Sequence, residues 1–374
     1  MPDILNLISN ADRLEFSQNL SVARPAYIGD RIFPDQKTEN IKAEYLRLAE
    51  GANIPAMATV HAFDTEAEIG TRPVFDKTEV EKLLIKRKIN QTERVRMLTE
   101  NGVYADDAVV RYVFDDMRLM ADAVKVRTEV AKMEVLATGK MTIAENNLNL
   151  TVDYGVPKAN TGYKIDFGPD ADIIGQIQAI ADAAAGSGNA LTEIVTSNKL
   201  LRKMAANKGI QTMIYGTVGA GTYVPADRIR SLFMELFGFG TITTNDLRYK
   251  AQTASGKEAT KRFFPDDKMA FLSNGTATSF GAGLWGVTPE EAEYGQYSEK
   301  NADQYITITQ WATPDPVAVW TKASGLFIPV RSPLRARLPP PVTGPWVCAQ
   351  AANLFKTSPA ARRFLSPAPG RPTW

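Results

Sequence analysis

"DDAVVRYVFDDMRLMADAVKVRTEVAKMEVLATGK", residues 106–140, is the stretch whose period decides the fold. Val109, Val113, Met117, Met120, Val124, Ala131 and Val135 fall close to a 3.6-residue spacing, which gathers side chains on one face of an α-helix. Asp106 and Asp107 stand in its first turn, and Lys132 and Lys140 lie near its end, as the helix dipole prefers. Gly139 is placed to stop it. A helix over about 105–138 would be about 50 Å long at ~1.5 Å per residue. That is far beyond the average globular helix of about 11–12 residues. Its methionines and valines read as core, not as a cofactor box.

Upstream, residues 45–90 read as a long two-stranded excursion. "ATVHAF" (58–63) and "VEKLLIKRKI" (80–89) are strand-like, joined by "DTEAEIGTRPVFDKTE". A hairpin with so few apolar residues at its tip is at best marginally stable alone. It is therefore either mobile or laid on a neighbouring subunit, where Asp64, Glu66, Glu68 and Arg72 would meet complementary charges. Lys86, Arg87 and Lys88 at its foot read as a solvated or inter-subunit face; a nucleic-acid patch is the sharper alternative. Residues 1–40 show little periodicity. Pro25 and Pro34 with aromatics between them suit an extended arm docked on something else.

Downstream, "TIAENNLNLTVDYGV" alternates like strand. "DADIIGQIQAIADAAAGSGNALTEIVTSNKLLRKMAANKG" reads as helix, turn, strand, helix: a compact α/β unit starting near Asp170. Shorter strand-like pieces follow in "TYVPAD", "GTITTNDLRYKAQ" and "KMAFLSNG". "QYITITQWATPDPVAVWTKASGLFIPV" gives two strands around a Pro-Asp-Pro corner. There is no internal repeat.

Composition excludes several classes. His61 is the only histidine and Cys348 the only cysteine, so His-dependent triads and multi-ligand zinc sites have no raw material. One cysteine cannot form an internal disulfide, and the N-terminus lacks the basic and apolar regions of a secretory signal, which fits a reducing cytosol. No stretch approaches the ~18 uninterrupted apolar residues of a membrane span. From Arg331 to Trp374 there are six arginines, one lysine and no acid. Removing that +7 from a whole-chain charge of +1 leaves residues 1–330 at −6, without the basic stripe of a sequence-specific nucleic-acid reader.

"GTVGAGTYV" (216–224) is glycine-rich but lacks the order of a phosphate loop or a dinucleotide motif, and reads as a turn. Asp266 and Asp267 in "KRFFPDDKMAFLSNG" are candidate paired carboxylates. Neighbours in a strand point to opposite faces, so the reading preferred is a corner before a strand. No catalytic, cofactor-binding or metal-ligating residue is assigned, and no cofactor is implied.

The order of these elements resembles the lambda-type major head proteins of tailed bacteriophages, the major capsid protein E family. "FDTEAEIGTR" with "KLLIKRKI", the long helix ending in Leu-x-x-Gly-Lys, "DIIGQIQAIADAAAGSGNALTEIVTSNKLLRKMAAN", "FFPDDKMAFLSNG" and "WATPDPVAVWTKASGLFIPV" carry the resemblance over about residues 15–330. It implies an α+β fold, the Hong Kong ninety-seven capsid fold. The divisions would be an N-terminal arm (1–40) and an E-loop hairpin with return strand (41–90). A P domain with the long spine helix (91–169) and a compact α/β A domain (170–302) would follow. Closing P-domain strands (303–330) would end the family's length. A Pro/Arg-rich tail (331–374), disordered or non-native, remains; a genuine extension or decoration segment is the other reading.

By the same resemblance, the chain is no enzyme. It assembles with itself into hexamers and pentamers of an icosahedral head around double-stranded DNA, held non-specifically. A separate scaffolding protein, a portal protein and a head decoration protein would be its partners, with no membrane, in the host cytoplasm and then the virion. An encapsulin-like compartment around a cargo enzyme is the alternative, and a hydrolase or transferase with an α/β core the rival from another class. Deleting 331–374 is expected to leave assembly intact.

Overall fold

The computed structural model describes residues 10–20, 26–48, 57, 75–91, 106–145, 148–156, 163–186, 190–217, 221–252, 257–273, 281–294, 299–300, 305–315 and 317–331. All of them fall in the unit Met1–Leu334. The Pro/Arg-rich tail, the strand expected at 58–63, His61, and Asp64, Glu66, Glu68 and Arg72 lie outside the described residues.

The chain opens with α1 (Asn10–Gln18), α2 (Ile28–Ile32), β1 (Asp35–Lys37), β2 (Lys42–Leu48), β3 (Phe75–Glu81) and β4 (Leu83–Gln91). The long helix α3 (Asp106–Thr138) follows, then the hairpin β5 (Lys140–Glu145) and β6 (Leu148–Asp153). A second group comprises α4 (Ile173–Gly186), β7 (Glu193–Thr196), α5 (Asn198–Ala205), α6 (Lys208–Tyr215), α7 (Ala226–Phe237) and β8 (Thr241–Thr244). Then come β9 (Arg248–Gln252), β10 (Glu258–Arg262), β11 (Ala270–Leu272), β12 (Gly281–Gly286), α8 (Pro289–Tyr294), β13 (Glu299–Lys300), β14 (Thr307–Pro314) and β15 (Val317–Arg331).

Helix α3 runs 33 residues, and the periodic positions Val113, Met117, Met120, Val124, Ala131 and Val135 are all buried. All but Val113 lie in a core shared with Phe33, Trp285, Ile308, Phe327 and Ile328 of the arm and the main sheet. Gly139 ends the helix at φ +69°, where a side chain would also collide with Val156. β5 begins at once.

The main sheet is built around β15, whose 15 residues pair with three strands. β14 and β12 follow each other along one edge, antiparallel, and β4 occupies the other from Phe327 to Val319. β1 joins β12 in parallel, so the arm supplies a strand to the sheet. The hairpin β2–β3 leaves the foot of this sheet as a seven-pair ladder, Lys42 opposite Glu81 and Leu48 opposite Phe75. β12 and β13, grouped in sequence with residues 170–302, lie in this sheet: Ala282, Leu284 and Trp285 face the first core.

A second core contains Ile173, Ile177, Ile194, Leu201, Ile210, Ile229 and Phe233. Its three-stranded sheet, β11-β7-β8, has β7 buried at all four positions, with helices α4 to α7 supplying the remaining apolar wall.

Four expectations need correction. The joining stretch read through Glu79 is strand from Phe75, and "VEKLLIKRKI" divides at Lys82 between β3, which pairs with β2, and β4, which pairs with β15. The arm holds two short helices, α1 and α2, where extended chain was expected: between Pro25 and Pro34, Gly29 and Ile32 bury against the first core. "TYVPAD" is no strand; Pro225 stands at the N-cap of α7 with φ −61°, and Ile229 and Phe233, four residues apart, bury one face. The helix read through "NKLLRKMAANKG" breaks at Ala206, because Asn207 turns its side chain to cap α6, accepting from Ile210 N at 3.1 Å. Among the described residues, no helix is long and apolar enough to cross a membrane.

Candidate functional site

Three consecutive residues of α2 join the arm to both cores. Gly29 N donates to Glu129 Oε1 at 3.1 Å, and Asp30 Oδ1 accepts from Lys132 Nζ at 2.7 Å. Arg31 forks onto the carboxylate of Glu193 in β7, with Nη1 at 2.8 Å from Oε2. Lys132 spends its second hydrogen bond on Asp35 of β1, also at 2.7 Å, and its ammonium lies 5.6 Å from the Phe327 ring centroid. Near the end of α3 it was expected to serve the helix dipole. It is instead 0% exposed, on an inward arc with Ala131 and Met133, and serves as the cation between two arm carboxylates.

One ammonium thus faces three carboxylates, and their titration follows. Burial works to lower the Lys132 pKa, but Asp35 and Asp30 outweigh it and hold the ammonium above the usual lysine range. Burial pushes the Glu129 carboxyl up to about 7, against the pull of the Gly29 N–H. Glu129 is 1% exposed and its Oε2 accepts no hydrogen bond among the described residues. A Cβ at position 29 would collide with this carboxylate, so glycine is what lets the arm sit down here.

Lys82 marks the break between β3 and β4, where the hairpin leaves the sheet. It is buried, and its Nζ donates to the carbonyls of Thr38, Asn40 and Trp285. Burial lowers its pKa to about 8. The root of the hairpin is therefore tied to the arm and to β12 through one side chain.

The register of β4 on β15 sorts Lys86, Arg87 and Lys88. Residues directly opposite share a face and successive residues alternate. Lys86 lies opposite Ser324 and Lys88 opposite Lys322, whereas Arg87 lies opposite Ala323, between Ile85 and Ile89 that pack on the first core. Lys86 and Lys88 therefore project from the outer face and Arg87 from the helix-facing side. On the outer face Trp311 and Trp320 stack as cross-strand partners, centroids 6.3 Å apart. Lys88 sits 4.5 Å over the Trp320 ring and Lys322 5.6 Å over Trp311. Beneath them Glu290 of α8 accepts from Lys322 at 2.8 Å and pairs with Lys86 at 2.9 Å. Burial works to raise the Glu290 pKa, yet the hydrogen bonds from Lys322 and Lys86 bring it down to about 2. Leu84, 43% exposed, closes the row.

Asp266 and Asp267 form a turn ahead of β11, as expected. Asp266 binds Lys199 at 3.0 Å and its carbonyl accepts from Ser197 Oγ, so it braces α5. The residues missed in sequence are Glu129, Glu193, Lys82, Lys322, Trp311 and Trp320. The tryptophans and Lys322 had a legible signal in the strand alternation of "TQWATPDPVAVWTK". Glu129, Lys132 and Glu193 had none, because each is a charged residue inside an apolar period.

The model of the family described as phage major capsid protein E matches residues 17–331. Among solved structures, the chain is similar to a phage-related protein from Bordetella bronchiseptica RB50, at 13% identity and TM-score 0.46, covering 86% of this chain and 92% of that one. A structure from Mycobacterium phage Bobi matches at 14% identity and TM-score 0.42, covering 87% and 94%. The capsid asymmetric unit of cyanophage A-1(L) matches at 12% identity and TM-score 0.43, covering 82% and 88%. None of the curated protein sequences compared matches the chain.

Proposed function

The chain belongs to the phage major capsid protein E family, and from that membership we propose that it closes an icosahedral head of hexamers and pentamers around double-stranded DNA. It is a capsid-forming protein that associates with copies of itself and resides in the virion. The single observation that carries the reading is the family match over residues 17–331, which spans every element from the end of α1 to the end of β15.

The division of labour belongs to the same proposal. Helix α3 and the main sheet are the P domain, and the second core, from about residue 163 to 272, is the A domain. Residues 41–90 are the E-loop with its return strand. Its charged residues Asp64, Glu66, Glu68, Arg72, Lys86, Arg87 and Lys88 meet neighbouring subunits. The function is association, not catalysis. Heterologous contacts that close give rings, and many modest contacts multiply in a closed shell. A separate scaffolding protein, a portal and a head decoration protein complete the partners, with assembly in the host cytoplasm and DNA held without sequence preference.

The test is size-exclusion chromatography with negative-stain microscopy on the full chain, expressed alone and with its genomic neighbours. Rings or closed shells are expected. A strict monomer under every condition would overturn the reading.

A further inference from the structure

Residues 28–37 hold on to the fold without a core of their own. Helix α2 is five residues long and Tyr27 gives it no side-chain cap, far short of the ~12–15 residues a helix needs to stand alone. β1 contributes three pairs at the edge of β12. Contacts to other elements keep them in place: Gly29 N–H on Glu129, Asp30 and Asp35 on Lys132, Arg31 on Glu193, and the buried side chains of Ile32 and Phe33. The segment is bounded on both sides. Upstream, Phe16 of α1 stacks on Phe114 of α3 with centroids 4.2 Å apart. Downstream, Lys82 grips the carbonyls of Thr38 and Asn40.

At the centre of these contacts is a carboxyl whose surroundings do not suit a charge. The Glu129 side chain is buried; its Oε1 takes the Gly29 N–H, and its Oε2 meets no donor among the described residues. An ionised oxygen so placed is costly, whereas a protonated carboxyl is neutral. Asp30 faces Glu129 from α2, Asp35 from β1 and Lys132 from its own helix. β12 and β15 bring the uncharged Gly283 and Phe327 against Asp35 and Lys132. Ionising Glu129 sets three carboxylates around one ammonium.

We propose that α2 and β1 form a clasp that opens as a unit while the rest of the fold stands, with one proton on the Glu129 carboxyl setting how often it opens. Opening is cooperative, because α2 loses its only supports once Gly29, Asp30 and Arg31 let go. Ile32 and Phe33 keep the open state a minor one. Opening also cuts the arm from the second core: Glu193, which Arg31 grips, lies in β7 and accepts from Thr243 Oγ1 at 2.9 Å. Glu129 holds its proton up to about 7 in the closed clasp, against 4.5 as a free side chain. The clasp is therefore tightest below 4.5, loosens as pH rises and changes no further above about 7. Asp35, raised by burial as well, acts in the same direction.

The inference concerns the single subunit and stands apart from the capsid reading. Its test is hydrogen exchange with mass spectrometry on the full chain from pH 5 to 8, corrected for the intrinsic pH dependence of exchange. Peptides covering 28–37 and 283–285 should exchange about ten-fold faster for each pH unit up to 7, the slope of one released proton, and then level off. At every pH they should exchange at least about ten-fold faster than peptides of α3 and β15, which report opening of the whole fold. Glu129→Gln should remove most of the slope. Asp30→Asn takes away a charge that raises the Glu129 carboxyl, so its curve should level off at lower pH. Exchange of 28–37 that is independent of pH, or a slope that survives Glu129→Gln, overturns the proton control. Exchange of 28–37 at the rate of α3 and β15 overturns the clasp as a separate unit.

Discussion

Glu129 and Lys132 lie three residues apart on α3, and together they set how the arm responds to pH. Glu129 titrates near 7 in the folded chain against 4.5 as a free side chain, so the folded state holds a proton that the unfolded state has released. For a raised carboxyl the stabilising contribution is complete below about 4.5 and fades as pH rises through 7. A shift of that size corresponds to roughly 2–4 kcal/mol. Glu290 works in the opposite sense but only as pH falls below 4.5 toward 2, and Lys82 titrates only above about 8. Burial raises Asp35 and Asp116 as well, so Glu129 shares the interval above 4.5 with them and is the carboxyl pushed as far as about 7. Urea unfolding of the unassembled subunit should show stability falling between pH 5 and pH 7.5, and Glu129→Gln should flatten that slope. A slope unchanged in the variant would remove Glu129 as its source. Lys132→Met is the harsher change, because it leaves the largely buried Asp35, and half-exposed Asp30 beside it, without their cation. A loss of about 3–5 kcal/mol at neutral pH is expected by the same denaturation.

At the scale of elements, α3 shows which parts of a fold can be read in advance. Its period predicted the buried face because a helix against a sheet must bury one stripe. Met117 is fully buried in that stripe, and Met117→Ala should cost about 2–5 kcal/mol in thermal or chemical unfolding. A cost below about 1 kcal/mol would mean that the helix lies loosely on the sheet. The β14–β15 hairpin and the α4-β7-α5 run were legible for the same reason, since local period and turn residues agreed. α7 was not. Its two buried positions are too few to outweigh the strand-like "TYV" before Pro225. α2 was also missed, because five residues between prolines hold no period; tertiary contacts to Glu129, Lys132 and Glu193 make it helical. Of the charged residues read as a contact strip, the hairpin foot was found but not its sidedness. That sidedness depends on register with β15, a strand more than 200 residues away.

At the scale of the whole molecule, the change of charge and the end of the family match fall at the same place. Arg331 still pairs with Gly281 at the end of β15, and the family match also stops at residue 331. Up to that residue the formal charge is −5, since Arg331 adds one to the −6 of the preceding 330, and the remaining 43 residues carry +6. Cutting after Arg331, one residue later than composition alone suggests, spares the last rung of the β12–β15 ladder. Deletion of 332–374 should therefore leave particle yield within about two-fold of the full chain, because every core residue and ladder pair among the described residues is kept. The same deletion separates two sources of DNA affinity. Counterion release makes binding by a cationic segment fall steeply with salt, with a slope near 0.9 per phosphate neutralised. Full-length particles should bind DNA with a salt slope that the truncated ones lack, since their net charge is acidic. A strong, salt-sensitive affinity that survives the deletion would locate the DNA contact in the folded body. A loss of particles would show that residues beyond β15 take part in building the shell.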